Sequence, residues 1–467
     1  MTSLTSTTIA TLAAEIVGPE SVRMSVSDLE GTSHDTWPLT TKWAMTGQHP
    51  NMADVLIKLT SFDHVAPILR LATQQQVPVT VRALASSVTG QPLPVRGGIV
   101  LDVSGVPATY EVDEVNMTVT ATASHNGGAL EDALQARGLT TGHSPQSLYR
   151  STIGGWLATL ATGQFSSLYG GIEDLVVGYT VILATGETAH LKASPRAAMG
   201  PDLRQIFLGS EGTLGVITSV TLKLFRLPET QLVQTFTMPD VSAGLGFLRE
   251  QASLGLRPFL LRFYDTQEAR HAMADPDFAS PVLFLGSRGV DRMAHAEMRT
   301  LSETAESFGG KAIGTAGVEG WLGRRYDFST VEKLLSTPGG YAETIEVAHN
   351  WDTIQVLHTR LKDALAPLSD EVLAHFSHVY TQGSSMYLIL LGHAESDHAA
   401  IERIQRIWAT TMDICLELGA ELSHHHGGGL ARSPYSQRSL GSAHVVLRSL
   451  KDALDPAGIL NPGKLGL

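Results

Sequence analysis

Three consecutive histidines, His424, His425 and His426, precede three glycines and carry side chains suited to proton transfer. An imidazole changes its charge near neutral pH, so these residues could relay a proton or hydrogen-bond a substrate. Consecutive side chains of an extended segment alternate between its two faces, so at most His424 and His426 would point the same way. We therefore expect no three-histidine metal site, and one functional histidine beside two that only pack is the alternative.

A second candidate for chemistry is Arg262, which interrupts the apolar run LLRFYD. A guanidinium within an apolar strand requires a partner, because burying an unpaired charge is costly. A nearby carboxylate would make the arginine structural, whereas a bound anion or flavin would make it a ligand contact. The residue types leave both interpretations open.

Two loops of small residues could hold a ligand. The first, residues 144–163, places Gly154 and Gly155 in hydroxyl-rich sequence, where backbone can approach a ligand without a Cβ in the way. The second, residues 209–218, offers donors and acceptors just before a strand. A strand pair at residues 175–191 attaches both loops to one sheet. Alternatively, the glycines only turn corners in a β-rich domain.

Composition narrows the class of protein. A length of 467 residues suggests two to three domains. The formal charge of −13, from 33 basic and 46 acidic residues, opposes binding to nucleic acid or to anionic membranes. The single Cys415 cannot form an internal disulfide, and neither a secretion signal nor an apolar run of ~20 residues is evident. These features predict a cytoplasmic protein without an integral membrane segment.

The order of predicted elements indicates how the candidate residues are positioned. Residues 1–50 are weakly patterned and read as an N-terminal extension. Strands and a helix then alternate as an α/β unit that leads into the two loops, within a domain of residues 51–228. Residues 229–420 alternate strands and helices, which predicts helices on one face of an antiparallel sheet. Residues 421–467 are expected to return to the first domain.

Five motifs between residue 151 and the C-terminus resemble those of a known flavoprotein family. They read STIGGW, LYGGIEDLVV, GPDLRQIFLGSEGTLGVIT, LSHHHGGG and DPAGILNPGKL. In order and spacing they resemble the FAD-binding vanillyl-alcohol oxidase or PCMH-type flavoproteins, and most closely the alkyldihydroxyacetonephosphate synthases. The resemblance implies an α+β fold, with a two-subdomain PCMH-type FAD-binding domain and an α+β substrate (cap) domain. The last motif also occurs in flavin-linked 2-hydroxy-acid dehydrogenases, so the resemblance specifies the fold more closely than the reaction.

The resemblance implies FAD as the cofactor. In that family the FAD pyrophosphate lies on a loop, GGGTS, whose backbone N–H groups form an anion-binding nest. The aligned residues here are Arg82, Ala83, Leu84, Ala85 and Ser86, which lack the freedom of glycine at positive φ and crowd the approach to phosphate. Arg82 could supply a charge-assisted contact instead. The other implied cofactor residues are Ser144, Ser147, Ser151, Gly154, Gly155, Thr159, Thr162, Glu211, Gly212, Thr213, Gly215 and Val216.

The resemblance also implies the catalytic residues. Tyr387 aligns with the tyrosine that takes and returns a proton in that family, the three histidines would form its relay, and Arg262 would be an anchor. A phenol acts as a base only where cations stabilise its phenolate, and the neighbouring histidines could do so. Glu332 stands where the family has an arginine that binds substrate, so a phosphate would be repelled there. Arg325, about two helical turns upstream, could compensate as a substrate residue.

Three functions follow from these features. The first is an FAD-dependent enzyme that resembles alkyldihydroxyacetonephosphate synthase, exchanges an acyl group without net redox change, and has an altered substrate specificity. The second is an FAD-dependent oxidase or dehydrogenase of a hydroxy acid or alcohol. The third is a flavin-free lyase, cyclase or binding protein on the same fold. In each case the expected partner is a small molecule, and the resemblance adds a homodimer.

Overall fold

The computed structural model describes residues 5–467, and a four-stranded sheet forms its first layer. The elements are α1 (Ser6–Val17), β1 (Val22–Arg23), α2 (Val26–Thr32), α3 (Pro38–Met45), β2 (Val55–Lys58), α4 (Val65–Gln75), β3 (Val79–Arg82) and β4 (Ile99–Asp102). The strand order is β1-β2-β4-β3, with β2 and β3 parallel to β4. Apolar side chains of β2, β4, α1 and α4 share one core. The chain leaves β3 directly into the loop that aligns with the pyrophosphate loop.

A five-stranded antiparallel sheet follows, in the order β5-β6-β10-β8-β9. The elements are β5 (Tyr110–Asp113), β6 (Thr118–Thr122), α5 (Gly127–Gln135), β7 (Leu139–Thr140), α6 (Ile153–Thr159), α7 (Ser166–Tyr169), α8 (Ile172–Leu175), β8 (Val176–Ile182), β9 (Thr188–Leu191), β10 (Val216–Lys223) and β11 (Phe225–Arg226). The side chain of Thr152 accepts from the N–H of Gly155 and caps α6. One small-residue loop leads into α6 and the other into β10, so this sheet positions both.

A seven-stranded antiparallel sheet makes up most of the second half of the chain. The elements are β12 (Thr230–Thr237), α9 (Val241–Ser253), β13 (Leu260–Tyr264), α10 (Thr266–Met273), β14 (Val282–Gly289), α11 (Asp291–Ser307), β15 (Lys311–Ala312), α12 (Ala316–Arg324), α13 (Ser329–Ser336), β16 (Gly340–Asn350), α14 (Ile354–Leu365), β17 (Glu371–Val379), β18 (Gly383–His393) and α15 (Asp397–Leu418). The strand order is β15-β12-β14-β13-β17-β18-β16. Helices α9, α11, α14 and α15 cover one face, as predicted. The shorter α10 and α12 pack with a smaller apolar cluster that includes Tyr264 and Phe284.

The last part of the chain returns to the first sheet. It contains α16 (Gly429–Arg432), α17 (Ser436–Leu440) and α18 (His444–Leu454). Beyond α18, the N–H of Val79 donates to the carbonyl of Ile459 at 2.8 Å, and the N–H of Asn461 donates to the carbonyl of Val79 at 2.8 Å. The predicted domain boundaries themselves stay predictions. Among residues 5–467, no helix has both the length and the apolar character that crossing a bilayer requires.

Residues that read as a weakly patterned extension are built into the body of the protein. Ile9 and Ala13 of α1 belong to the core of the first sheet. Trp37 is 4% exposed, and its Nε1 donates to Glu343 on β16 at 3.1 Å. Lys42 of α3 is fully buried against Asp397 at 2.8 Å. The N-terminal segment therefore contacts both halves of the chain.

Candidate functional site

A cavity of about 620 Å3 lies between the three sheets. Its walls come from the loop after β3, the loops before α6 and β10, and strands β13, β16, β17 and β18. A volume of this size suits a cofactor or another small molecule. Every residue predicted to contact the cofactor lines the cavity except Ser144 and Thr213. Ser144 Oγ instead lies 2.8 Å from the hydroxyl of Tyr326, and Thr213 Oγ1 donates to the carbonyl of Ser210 at 2.7 Å.

The loop after β3 keeps backbone groups available for an anion although it lacks glycine. Ala85 has a φ of 50°, a left-handed conformation that usually requires glycine. The N–H groups of Leu84, Ala85 and Ser86 have no acceptor among residues 5–467, and these residues line the cavity. Arg82 lines it too, but its Nη1 donates to the carbonyl of His34 at 2.6 Å. Free N–H groups at a cavity are what a pyrophosphate requires, so this loop fits FAD.

The glycines of the other two loops serve different purposes. A Cβ added to Gly154 would lie 2.7 Å from the Cβ of Ala123, and one added to Gly215 would lie 2.5 Å from a methyl group of Val181. Close packing within the domain therefore requires both residues. Gly212 has open space around it but a φ of 73°. Gly154 and Gly215 therefore serve close packing, and only Gly212, with its positive φ, fits the alternative that a glycine turns the chain.

Glu211 joins the second small-residue loop to the C-terminal segment. Its carboxylate accepts from the N–H groups of Gly428 at 2.5 Å and Gly429 at 3.0 Å. The side-chain amide of Asn461 donates to the carbonyl of Glu211 at 2.6 Å. Burial raises the pKa of Glu211, and the two glycine N–H groups oppose that shift. The residue lines the cavity, but its carboxylate is engaged in holding the loop in place.

Tyr387 lies on β18 at the wall of the cavity, and strand pairing determines its neighbours. Its register partners are His375 on β17 and Glu346 on β16. The ring of His375 stacks on that of Tyr387, with centroids 4.9 Å apart and planes at 14°. The rings of His425 and His426 approach it with centroid distances of 6.0 and 5.4 Å. The structure thus brings the predicted tyrosine together with two of the three predicted histidines.

Glu346 fixes the conformation of the histidine segment and was not among the predicted site residues. It is fully buried and accepts from the backbone N–H groups of His424 and His426, the latter at 2.8 Å. Its other donors are Ser423 Oγ at 2.9 Å and Arg432 Nη2 at 3.2 Å. Burial alone would raise the pKa of Glu346, but the charge of Arg432 and the histidines hold it at about 2. The signal that could have identified it is a charged residue within the apolar strand AETIEVA.

Burial keeps the three histidines neutral. It lowers the pKa of His424 and His425 to about 3 and that of His426 to about 4. Burial also raises the pKa of Tyr387, and the carboxylate of Glu346 adds to this effect. The neighbouring histidines therefore do not supply the positive charge that the sequence argument required of them. At neutral pH the phenol of Tyr387 carries its proton.

His424 connects the cavity wall with the surface of the protein. Its Nδ1 lies 2.9 Å from Nδ1 of His425, and its Nε2 lies 2.8 Å from the hydroxyl of the exposed Tyr380. Consecutive histidine rings therefore meet, and the expectation that they would alternate between two faces is wrong. The reason is that the two N–H bonds to Glu346 bend the segment away from an extended conformation.

A fourth imidazole, that of His378, brings ring nitrogens of His378, His424 and His425 within 4.8 Å of one another. The rings of His378 and His424 are stacked, with centroids 5.0 Å apart and planes at 17°. Imidazole lone pairs lie in the ring plane, so two nearly parallel stacked rings do not point at one ion. His378 Nδ1 lies 2.7 Å from Ser166 Oγ. This geometry favours hydrogen bonding over coordination, and the expectation of no metal stays a prediction.

Arg262 is held by hydrogen bonds to His375 and Tyr264, and it reaches a carboxylate only through His375. Its Nη2 lies 2.7 Å from Nε2 of His375, and Nδ1 of that histidine lies 2.7 Å from the carboxylate of Glu268. Its Nε donates to the hydroxyl of Tyr264 at 2.8 Å. Nη1 has no acceptor in the part of the chain that the structure describes, and Arg262 lines the cavity. A structural network therefore holds the guanidinium while one nitrogen remains free for a ligand.

The predicted substrate residues are held by other protein groups. Glu332 forms an ion pair with Arg150 at 2.5 Å, and both side chains are about half exposed at the cavity. Arg325 donates from Nη1 to the carbonyl of Leu322 at 2.6 Å and lies over the ring of Tyr326. Arg150 supplies the charge opposite to Glu332, and Arg325, which also lines the cavity, stays a predicted substrate residue. Arg150 gave no earlier signal beyond its place in the loop of residues 144–163.

Known proteins resemble this chain in sequence and in fold. The FAD binding domain family matches residues 53–192, and the C-terminal domain of FAD linked oxidases matches residues 227–465. The FAD-linked oxidoreductase YgcU of Escherichia coli (strain K12) is 32% identical over 88% of each chain. The alkyldihydroxyacetonephosphate synthase of Dictyostelium discoideum is 28% identical over 90% of this chain and 74% of its own. The structure of p-cresol methylhydroxylase with substrate bound superposes with a TM-score of 0.82 at 14% identity, over 99% of this chain and 96% of its own. The chain therefore belongs to the FAD-linked oxidase family and is an enzyme of the FAD-binding oxidoreductase superfamily, with FAD as its cofactor.

Proposed function

We propose that the protein catalyses a redox-neutral, FAD-dependent exchange of an acyl group for an alcohol on the carbon next to a carbonyl. The observation that carries this proposal is the position of Tyr387 at the cavity wall, beside the rings of His375, His425 and His426, where burial raises the pKa of its phenol. The similarity to alkyldihydroxyacetonephosphate synthase supports the reaction class. Bound FAD would supply the electrophilic centre of the reaction.

In this proposal Tyr387 acts first as an acid. Because burial raises its pKa, the phenol keeps its proton until a substrate reaches it. In the exchange the bond from the substrate carbon to the carboxylate oxygen breaks and a bond to the alcohol oxygen forms. Tyr387 would give its proton to the departing carboxylate and regain one from the alcohol, so that the products are an ether and a carboxylic acid with no net transfer of electrons. The hydrogen-bonded pair of His424 and His425 leads from the cavity to Tyr380 and would equilibrate the proton with solvent.

The ion pair between Glu332 and Arg150 at the cavity supports a substrate that differs from that of the resembled enzymes. Where the resembled enzymes have an arginine, Glu332 neutralises Arg150, so this position offers no net positive charge to a phosphate. We propose that the substrate is an acyl ester of a small hydroxyketone that is not anchored by a phosphate there. The free Nη1 of Arg262 would bind its carbonyl or another oxygen.

The test combines a product assay with one variant. FAD-loaded protein is incubated anaerobically with acyl-dihydroxyacetone, with or without its phosphate, and a long-chain alcohol, and the ether product is measured by mass spectrometry. We expect product from the phosphate-free ester, and a ~10²- to 10⁴-fold lower rate for Tyr387→Phe with unchanged FAD content. Absence of product from both esters, or a fully active phenylalanine variant, would contradict the proposal.

A hydroxy-acid or alcohol dehydrogenase is the second candidate, and the free Nη1 of Arg262 is the observation that favours it. A guanidinium nitrogen at the cavity could bind the carboxylate of a hydroxy acid, while a neutral His425 accepts the hydroxyl proton. Anaerobic bleaching of the flavin absorbance by a 2-hydroxy acid, without any ether product, would establish this reaction instead. The flavin-free alternative is not retained, because the family matches and the free N–H groups of the loop after β3 both support FAD.

A further inference from the structure

We propose that the N-terminal segment is part of the FAD site and that Asp35 is the residue that positions the pyrophosphate loop. The loop concerned is residues 83–90, which follows β3. The proposal rests on FAD as the cofactor and is independent of the acyl-exchange reaction. It concerns a segment that precedes the region matched by the FAD binding domain family, residues 53–192.

Asp35 is almost fully buried, and its two carboxylate oxygens face in different directions. One oxygen, Oδ2, accepts from Ser87 Oγ at 3.0 Å and from the N–H of Gly90 at 2.9 Å, both in the loop. The other, Oδ1, accepts from the N–H of Trp37 at 3.0 Å and from Thr40 Oγ1 at 3.2 Å, both in its own segment. One side chain thus fastens the loop to the start of α3.

Neighbouring residues add three more contacts, two to the loop and one to Arg82 at the end of β3. The N–H of Thr36 donates to the carbonyl of Ser87 at 3.0 Å, and its Oγ1 donates to the carbonyl of Ala85 at 3.1 Å. Arg82 donates from Nη1 to the carbonyl of His34 at 2.6 Å. The loop therefore contacts the N-terminal segment through two carbonyl groups, the hydroxyl of Ser87 and the N–H of Gly90, which leaves the N–H groups of residues 84–86 for the cavity.

The other end of the segment is fixed to the cap half of the chain. Trp37 donates to Glu343, and Lys42 pairs with Asp397 and donates to the carbonyl of Thr337 at 3.0 Å. Because both ends are anchored, Asp35 has a fixed position from which to hold the loop. This provides a physical reason why residues 83–86, which include no glycine, can keep Ala85 in a left-handed conformation and still present their N–H groups.

The experiment measures cofactor binding and needs no substrate. Apo-protein of the wild type and of Asp35→Ala is titrated with FAD and, separately, with FMN, which lacks the second phosphate and the adenosine. We expect Asp35→Ala to raise the Kd for FAD at least tenfold and to change that for FMN less than twofold, with Asp35→Asn intermediate. The unfolding temperature of each apo-protein is measured in parallel. A purely structural role of Asp35 would lower the unfolding temperature without a selective loss of FAD affinity.

A matched control is Glu297→Gln. Glu297 in α11 also accepts from a serine hydroxyl and a backbone N–H, those of Ser287 at 2.5 Å and Arg257 at 2.8 Å, but it lies in the cap half away from the loop. The Glu297→Gln variant should bind FAD as the wild type does. If Asp35→Ala does not fold, Ser87→Ala removes only one loop contact and should raise the Kd for FAD a few-fold. An unchanged FAD affinity in the folded Asp35 or Ser87 variants, or an equal loss of FMN affinity, would overturn the proposal.

Discussion

Glu343 is a buried carboxyl that should make the wild type lose stability relative to Glu343→Gln as pH rises. It is fully buried on β16 and accepts from two indole N–H groups, those of Trp37 at 3.1 Å and Trp408 at 2.9 Å, and from the N–H of Thr344 at 2.9 Å. Burial raises its pKa from 4.5 to about 7 in spite of these donors. The folded protein therefore binds a proton at Glu343 more tightly than the unfolded chain does.

The sign and size of the effect follow from this difference. Because the folded-state pKa is raised, the carboxyl destabilises the fold progressively as pH rises from the unfolded value towards 7 and beyond. Between pH 5 and pH 8 the wild type should lose about 2.5 kcal/mol relative to Glu343→Gln, whose amide does not titrate. The amide must turn a donor towards the N–H of Thr344, but that cost is the same at every pH and cancels in the comparison.

Calorimetric unfolding of both apo-proteins at pH 5, 6, 7 and 8 measures this difference. For a chain of this length about 2.5 kcal/mol corresponds to a shift of about 2–3 °C, so the unfolding temperature of the variant should rise by that amount relative to the wild type across the range. A difference between Glu343→Gln and wild type that stays constant from pH 5 to pH 8 would refute the reasoning.

Three further predictions concern the cavity. The pH profile of the rate of the FAD-loaded enzyme should show no inflection near pH 6.5, because burial lowers the pKa of His425 to about 3 and that of His426 to about 4. An inflection near pH 6.5 that disappears in His425→Ala would contradict this prediction. Glu332→Gln should release Arg150 and strengthen the binding of inorganic phosphate a few-fold at low salt, as measured by calorimetry. Salt at 0.5 M should abolish this gain in affinity. Equal phosphate affinity of variant and wild type at low salt would show that the ion pair does not control the charge at this part of the cavity. Tyr380→Phe should slow turnover about tenfold with a larger solvent isotope effect and unchanged FAD content, whereas an unaltered isotope effect would remove Tyr380 from the proton path.

The local signals in the sequence predicted the parts of the fold that depend on local chemistry. Glycine-containing turns and apolar periodicity placed the two small-residue loops on one sheet and a helical layer over an antiparallel sheet, and the structure confirms this fold. Arg262 was recognised because a charge in an apolar strand needs a partner. The same rule applied to AETIEVA would have identified Glu343 and Glu346.

Residues that act through pairing between distant strands could not be found in this way. His375 and Glu268 reach Arg262 from another strand and another helix, and their positions depend on the order of strands in the seven-stranded sheet. Asp35 contacts a loop about fifty residues further along the chain through a segment with little pattern of its own. The orientation of the histidines was predicted wrongly because an extended segment was assumed, whereas Glu346 bends it.

The proposed reaction can be tested most directly in one anaerobic cuvette, where flavin absorbance and product mass are followed together. With acyl-dihydroxyacetone and a long-chain alcohol, we predict an ether product while the oxidised flavin absorbance is unchanged at the end of the reaction. Lasting bleaching of the flavin by an alcohol or a hydroxy acid, with no ether product, would contradict a redox-neutral exchange at Tyr387.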